Sequence, residues 1–390
     1  MNPLEDKTIL IGITGGIAAF KIPILIRRLK KESTSLKVKV VMTENAKKFV
    51  SPIVISTISD GYTESLWEKE VPHISLSEEA SLFCVIPADY NIIGKAASGI
   101  ADDLLSTIIS AFEGSIIFFP SMNYRMYDNP IFKENIKKLK DLGHIIIEPE
   151  TGELACDEKG KGRLPDISRI ILHIERALTP DLLKGSNCMV TGGGTGERID
   201  PIRVITNRAS GKMAYSLAKY CYLSGGETEL IMGMTSIDYG DYLPYNLIRV
   251  SNTEEMENEI VKRWDKLDYL FMSAAVSDFI PSKVSKKKIK KKEELNIKFK
   301  KNTDILMNLK KMKKNQFVVG FSIETHDLLK EAKKKMREKK LDMVIANDIS
   351  AIGSDKTSGF ILSKDKEEKF ECTKDELSWR IIKEISSKKH

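Results

Sequence analysis

Two stretches of this 390-residue chain share one grammar: a short apolar run, a cluster of glycines, then a helical pattern. The first is TILIGITGGIAAFKIPILIRRLKK (8–31), with Ile17, Phe20, Ile24 and Leu25 at helical spacing after the glycines. The second is NCMVTGGGTGERIDPIR (187–203). A strand that turns through glycines toward a helix opens a βαβ unit, and such units demand a parallel sheet with helices on its faces. Between the two lies LTPDLLKGS (178–186), a polar connection containing Pro and Gly. The expectation is two domains, 1–178 and 187–390, joined by a linker at 179–186, and the length alone favours two.

Each half continues the alternation. Strand-like runs follow at 37–42, 82–86, 115–119 and 144–148, with helical patterns around 44–58, 91–112 and 130–141. The second half has strand-like runs at 227–232, 268–273, 316–321, 341–346 and 359–363, with helices over 211–224, 254–264 and 325–340. No sequence repeat links the halves; their likeness is architectural. The fold class is α/β, two doubly wound and mostly parallel sheets.

Composition narrows the function classes. The chain is 42% hydrophobic and 30% charged, as a protein with sizeable cores should be. Its five cysteines (84, 156, 188, 221, 372) form no CxxC pair and no even framework, which fits a reducing cytoplasm rather than a disulfide scaffold. The N-terminus MNPLEDKTILIGITGG is acidic where a signal peptide is basic, and no run of about 18 apolar residues predicts a membrane span. The net charge of +7 is local: KVSKKKIKKKEELNIKFKK (283–301) holds ten lysines against two glutamates, so the remainder is close to neutral. That segment lacks the aromatic platforms of single-strand binders, which argues against a nucleic-acid partner.

In open parallel sheets, ligands sit beyond the carboxyl ends of the strands. Asn123, in PSMNYRMYDNP (120–130), stands just past the run SIIFF, a position that suits either a site or an ordinary turn. Gly15 and Gly16 offer backbone N–H groups to an anion, although GITGGIAAFK is not the G-x-G-x-x-G dinucleotide fingerprint. Thr43, and Ser106 and Thr107 at a later helix start, could add hydroxyls. His73, in PHISL, suits a capping or surface role as well as a catalytic one. Cys156, in TGELACDEKGKGR (151–163), lacks the apolar neighbours of a structural cysteine, which suits a reactive thiol on a lid.

In order along the chain, GITGGIAAFK, VVMTENAKKFV, PHISL, PADYN, ASGIADDLLST, PSMNYRM and GELACDEKGKGR resemble the flavin-dependent phosphopantothenoylcysteine decarboxylases. TGGGTGERIDPIRVITNRASGKM, AAVSDFIP, KIKK, NTDIL, VVGFSIET, EAKKKMREKKLDMVIAND and GSDK resemble the phosphopantothenate–cysteine ligases. The likeness spans roughly residues 8–385 and is that of the bifunctional coenzyme A biosynthesis proteins. It implies a Rossmann-like flavoprotein fold followed by a nucleotide-binding ligase fold.

The resemblance also implies roles. Asn123 would hold the substrate carboxylate beside FMN, since a neutral carboxamide donates to a carboxylate without trapping it. Met122 would wall the cleft and Asn91 would lie on the flavin side, with Gly15, Gly16, Thr43, Ser106 and Thr107 around the cofactor. The cysteinyl thiol would be oxidised toward a thioaldehyde, which eases loss of CO2. Cys156 would donate a proton during re-reduction, and His73 would assist the early steps. In the ligase half, CTP would activate 4′-phosphopantothenate as an acyl-cytidylate for attack by L-cysteine. Asn207 would contact that intermediate, Asp278 and Phe321 the nucleotide, and Lys288, Lys335 and Lys339 its phosphates. The glycine loop 192–194 and the helix opening at 210–212 would offer N–H groups to anions. Mg2+ is expected with the triphosphate, although no metal-ligand cluster is legible. The family further implies trimers with FMN between subunits, in some members built into dodecamers, and dimeric ligase halves.

Some positions depart from the family pattern. T-R-E-P-I-D reads TGERID, with Gly196 for arginine and Arg198 two residues on, and AAVADF-R-P reads AAVSDFIP, with Ser277 and Ile280. Two other readings remain open on the sequence: a nicotinamide-dependent oxidoreductase, against which the missing fingerprint speaks, and a flavin-binding regulatory protein with one dead site.

Overall fold

Strands covered on both faces must be apolar throughout, and the first half supplies them. In the computed structural model, which describes residues 2–63, 71–153, 159–237, 243–290, 295–324, 327–348 and 353–388, the chain divides into two compact units, Met1–Thr179 and Pro180–His390. In chain order the first unit contains β1 (Thr8–Ile13), α1 (Ile22–Glu32), β2 (Lys37–Met42), α2 (Pro52–Ile58), β3 (Gly61–Thr63), α3 (Pro72–Glu79), β4 (Leu82–Ala88), α4 (Tyr90–Ser98), α5 (Leu104–Ala111), β5 (Ile116–Pro120), α6 (Tyr124–Tyr127), α7 (Pro130–Asp141), β6 (Ile145–Ile146), β7 (Glu150–Glu153), β8 (Lys159–Arg163) and α8 (Ile167–Leu178).

Six of these strands form one parallel sheet in the order β3-β2-β1-β4-β5-β6. Along β1 the side chains alternate between two cores. Ile9, Ile11 and Ile13 pack with Leu25 of α1 and Ile170 and Ile174 of α8; Leu10 packs with Ile92 of α4 and Leu105 of α5. Each such residue contributes about 1.5–3 kcal/mol by leaving water. The strand order reverses between β1 and β4, so that is the switch point.

The helical stretch expected over 91–112 is two helices. Gly99 takes a left-handed conformation (φ 70°) that ends α4, and Asp103 then starts α5 in a reciprocal capping box with Ser106. The glycine turn after β1 enters a 3-10 turn, Ile17–Lys21, and α1 begins at Ile22 with a proline in its first turn. Of the four apolar residues at helical spacing, Leu25 alone is buried, while Ile17, Phe20 and Ile24 are exposed. The periodicity there is broken by the change of helix type.

The second unit contains β9 (Asn187–Gly192), β10 (Gly196–Arg198), β11 (Val204–Thr206), α9 (Lys212–Leu223), β12 (Glu227–Met232), β13 (Asn246–Arg249), α10 (Thr253–Val261), β14 (Tyr269–Met272), β15 (Phe279–Pro281), β16 (Phe299–Lys301), α11 (Ile305–Met312), β17 (Phe317–Glu324), α12 (Leu328–Lys339), β18 (Met343–Asp348), β19 (Lys356–Ser363), β20 (Glu367–Thr373) and α13 (Lys374–Ser386). Its main sheet runs β13-β12-β9-β14-β17-β18-β19-β20. It is parallel as far as β18, and β19 and β20 are antiparallel. The turn after β19 is too short for a crossover, so β20 must return antiparallel. The switch point lies between β9 and β14. Residues 180–186 pack within this unit: Leu183 is buried and its N–H donates to Ser224 O at 2.8 Å. No helix among the described residues is long and apolar enough to cross a membrane.

Candidate functional site

At the first switch point, Thr14 leaves β1 fully buried. Its hydroxyl donates to Pro87 O at 2.8 Å and accepts the N–H of Asp89 at 2.9 Å. Asp89 caps α4 through the N–H of Ile92 (2.8 Å). Burial pushes its carboxyl above the usual range, against the N–H groups of Ile92 and Gly15 and the Thr14 hydroxyl. The glycine turn therefore sits against the start of α4, which presents Asn91 as an exposed residue.

The two glycines of the turn differ. A Cβ on Gly15 would lie 2.5 Å from Asn45 Cβ, so this turn packs on the one after β2, where Thr43 accepts the N–H of Ala46 (3.3 Å). At Gly16 a Cβ would meet nothing within 4 Å, so open space begins there. A Cβ on Gly12 would strike Leu105 (2.4 Å), which places the first turn of α5 beside the end of β1. Ser106 and Thr107 are in that turn, but their hydroxyls serve their own helix: Ser106 Oγ donates to Asp103 Oδ1 (2.8 Å) and Thr107 Oγ1 to Asp103 O (2.7 Å). His73 is in the first turn of α3, which packs on α5, and its buried Nδ1 has no partner among the described residues.

Met122 and Asn123 follow the end of β5, with Ser121 N–H donating to Ala88 O (3.1 Å). Asn123 caps the short α6, and its Oδ1 accepts the N–H of Arg125 at 2.9 Å. Strands β7 and β8 form an antiparallel hairpin that lies on this segment. Met122 N–H donates to Gly162 O (3.0 Å), and Cβ atoms at Gly160 and Gly162 would fall 2.6 Å from Tyr124 Cβ and 2.0 Å from Met122 O. The two glycines thus let the hairpin lie close on this segment, Gly160 against the Tyr124 side chain and Gly162 against main chain. Cys156 belongs to residues 154–158 between these strands and lies outside the described residues.

In the second unit a cavity of about 640 Å3 opens at the strand ends. Asn207, Asp278, Phe321, Lys335 and Lys339 all line it. Asn207 Nδ2 donates to Val276 O (3.0 Å), joining the segment after β11 to the one after β14. Lys335 and Lys339 are one turn apart on α12; Lys335 Nζ donates to Phe321 O (2.5 Å) and Lys339 pairs with Asp304 (2.8 Å). Asn302, which sequence reading passed over, holds the wall together: its Nδ2 donates to Ser277 O (2.7 Å) and Thr253 Oγ1 (2.9 Å), and its N–H to Asp278 O (2.8 Å). Behind the wall Thr253 Oγ1 donates to the buried Glu197 (2.6 Å), and Ser277 Oγ donates to Thr195 O (3.3 Å). Ser277 therefore lines the cavity and is tied at the same time into a buried polar network behind it.

In the glycine loop 192–194 the Gly194 N–H donates to Met234 O (2.8 Å), as the next N–H, on Thr195, does to Ala275 O (3.3 Å), while Gly192 and Gly193 border a small space beside the start of α9. The loop's glycines answer to packing, since a Cβ on Gly192 would be 2.2 Å from Ala214 Cβ and one on Gly193 2.5 Å from Met234 O. Lys288 does not line the cavity; its exposed segment is tied to Asp200 and Ile199 instead. A smaller space, about 100 Å3, adjoins Ser210, Gly211 and Lys212 at the start of α9. No group of three or more His, Cys, Asp or Glu suited to a metal ion occurs among the described residues.

Each unit thus gathers its polar residues at the carboxyl ends of a doubly wound sheet, the arrangement of a two-site protein for nucleotide-like ligands. The chain matches the family model for Flavoprotein over residues 2–179 and that for DNA/pantothenate metabolism flavoprotein C-terminal domain over residues 183–388. The coenzyme A biosynthesis bifunctional protein CoaBC of Borreliella burgdorferi is 41% identical over 389 residues, covering 97% of this chain and 99% of the relative. The CoaBC protein of Bacillus subtilis is 37% identical over 399 residues (98% of each), and that of Escherichia coli is 34% identical over 358 residues (89% and 87%). The chain belongs to the CoaBC family of bifunctional coenzyme A biosynthesis proteins. It is an enzyme with a flavoprotein decarboxylase part and a ligase part.

Proposed function

We propose that the second unit joins 4′-phosphopantothenate to L-cysteine using CTP, and that the first unit decarboxylates the product with FMN to give 4′-phosphopantetheine. The observation that carries the ligase reading is the cavity that gathers a carboxamide (Asn207), a carboxylate (Asp278), an aromatic ring (Phe321) and two lysines one helical turn apart. Attack of the substrate carboxylate on the α-phosphorus of CTP forms the acyl-cytidylate and releases pyrophosphate. The amine of cysteine then takes the acyl group and CMP leaves. Lys335 and Lys339 would balance charge on the phosphates, Lys288 would reach them from its flap, Asp278 would contact the nucleotide, and Asn207 would orient the acyl-cytidylate. Mg2+ would enter with the triphosphate, which supplies its own oxygen ligands.

In the first unit, the open space at Gly16, the exposed Asn91 and the buried Nδ1 of His73, unpaired among the described residues, suit a planar cofactor with an anionic tail at the carboxyl ends of the strands. Gly15, Gly16, Thr43 and Asn91 would hold FMN, with Met122 as a wall. Ser106 and Thr107 would contribute through the start of α5 rather than through free hydroxyls. Bound FMN would supply reversible two-electron chemistry at the cysteinyl thiol. The Arg125 N–H fixes the orientation of the Asn123 carboxamide, which would then donate to the departing carboxylate. His73 would hold or move a proton early, and Cys156 would return one at the end. The site would lie in the cytoplasm, in a homo-oligomer of trimers with paired ligase units.

The test is mass spectrometry of the product after purified protein meets 4′-phosphopantothenate, cysteine, CTP and Mg2+. Formation of 4′-phosphopantetheine supports both halves. Accumulation of 4′-phosphopantothenoylcysteine removes the reading of Asn123 and Cys156, and no product removes that of the cavity.

A further inference from the structure

Asp200 is 1% exposed, and both of its carboxylate oxygens are engaged. Oδ1 accepts the N–H groups of Ile202 (2.9 Å) and Arg203 (2.8 Å), a local turn that an asparagine could make equally well. Oδ2 faces two more donors, the Arg203 guanidinium (2.6 Å) and the N–H of Ile289 (3.1 Å). The guanidinium also donates to the carbonyl of Ile289 (3.1 Å). One ion pair therefore holds the N–H and the C=O of a single residue in the middle of the lysine-rich segment 283–301. Ser285 N–H adds a tether to Ile199 O (3.0 Å). Lys286, Lys287, Lys288 and Lys290 are exposed around this anchored peptide, so what is fixed is the backbone while the charges stay in water.

We propose that Asp200 and Arg203 are positioning residues of the ligase, clamping Ile289 so that Lys288 projects from a fixed point. The proposal rests on the reading of Lys288 as a phosphate-binding lysine. The clamp specifically needs a carboxylate. An asparagine would keep the turn but turn its NH2 group toward donors, or turn its oxygen toward them and lose the turn.

The test uses the full chain with Asp200→Asn and two readouts. Limited trypsin digestion mapped by mass spectrometry should show cleavage at Lys286–Lys290 about tenfold faster than in the unsubstituted protein, because two part-buried bonds to the Asp200 carboxylate are lost. The ligase kcat should fall about tenfold or more with the KM for cysteine unchanged, while decarboxylation of supplied 4′-phosphopantothenoylcysteine stays intact. Unchanged cleavage overturns the clamp, and faster cleavage with an unchanged ligase rate overturns its positioning role. If the unsubstituted protein forms no ligation product, the functional reading of Lys288 fails, and with it the positioning role, while the digestion still decides the clamp. Should Asp200→Asn be cut throughout the second unit, Arg203→Gln decides by the same readouts, since it leaves the turn bonds in place.

Discussion

Thr14 and Asp89 close the switch point of the first sheet, the Thr14 hydroxyl accepting the Asp89 N–H at 2.9 Å while donating to Pro87 O at 2.8 Å. One hydroxyl thus satisfies a donor and an acceptor between β1 and β4. Thr14→Val keeps the shape and strands both partners, at about 2–4 kcal/mol by the usual cost of unpaired buried groups. The substituted protein should unfold at lower urea and carry less flavin through purification, with ligation retained. Absorbance of the purified protein and a urea titration check this; an unchanged midpoint would show the bridge to be dispensable.

Gly162 and Met122 make a second close approach, and here the colliding atom is backbone. A Cβ at Gly162 would sit 2.0 Å from Met122 O, which no rotamer change relieves. Gly162→Ala should therefore lift the β7–β8 hairpin off residues 122–124 and uncouple the halves. The expected result is accumulation of 4′-phosphopantothenoylcysteine, with decarboxylation down at least about tenfold and ligation unaltered. The ratio of the two products by mass spectrometry reads this directly.

What was legible in the sequence follows from range. The apolar runs and their helical intervals report local periodicity, so the two doubly wound sheets could be read. The place of Asn123 could be read too, because a polar residue just past a strand end is a local signal. The Gly192–Gly194 cluster announces close approach but not what approaches: Ala214 and Met234 come from 20 to 40 residues away, and the Gly194 N–H meets the Met234 carbonyl. Thr14, Asp200 and Asn302 carry no periodicity at all. Their bonds to Pro87, Ile289 and Ser277 span 25 to 89 positions and are visible only once the chain is folded.

His173, on α8, sets a pH dependence. It packs edge-on to Phe119, its Nε2 is buried without a partner among the described residues, and burial, reinforced by Arg169, lowers its pKa from 6.5 to about 4. A folded state that refuses the proton is favoured while the unfolded chain is also neutral. The contribution is therefore complete above about pH 6.5 and is lost as pH falls from there to about 4. The loss is at most about 3 kcal/mol at 1.36 kcal/mol per unit. His173→Phe should flatten the stability of the first unit across this window, leaving it similar at pH 7.5 and firmer at pH 5. Urea midpoints at both pH values test the sign; a parallel shift at both would mean that His173 takes up its proton alike in the folded and unfolded states.

Lys339 and Asp304 at the cavity rim make the last case. Their ion pair, 2.8 Å long, competes with any phosphate for the Lys339 ammonium. Asp304 also caps α11 through the N–H of Met307 (3.2 Å), a duty that asparagine performs equally well. The two substitutions should thus act in opposite directions. On the proposed reading, Lys339→Ala removes a phosphate partner and should raise the KM for CTP about 5–20-fold, whereas Asp304→Asn frees the lysine, keeps the cap and should lower that KM by about 2–5-fold. Both effects should shrink as salt rises from 50 to 500 mM, because the pair is only half-buried and open to screening. If Asp304→Asn instead raises the KM, the carboxylate contributes to nucleotide binding directly, as a metal-holding group would, and Lys339 is its partner rather than its competitor.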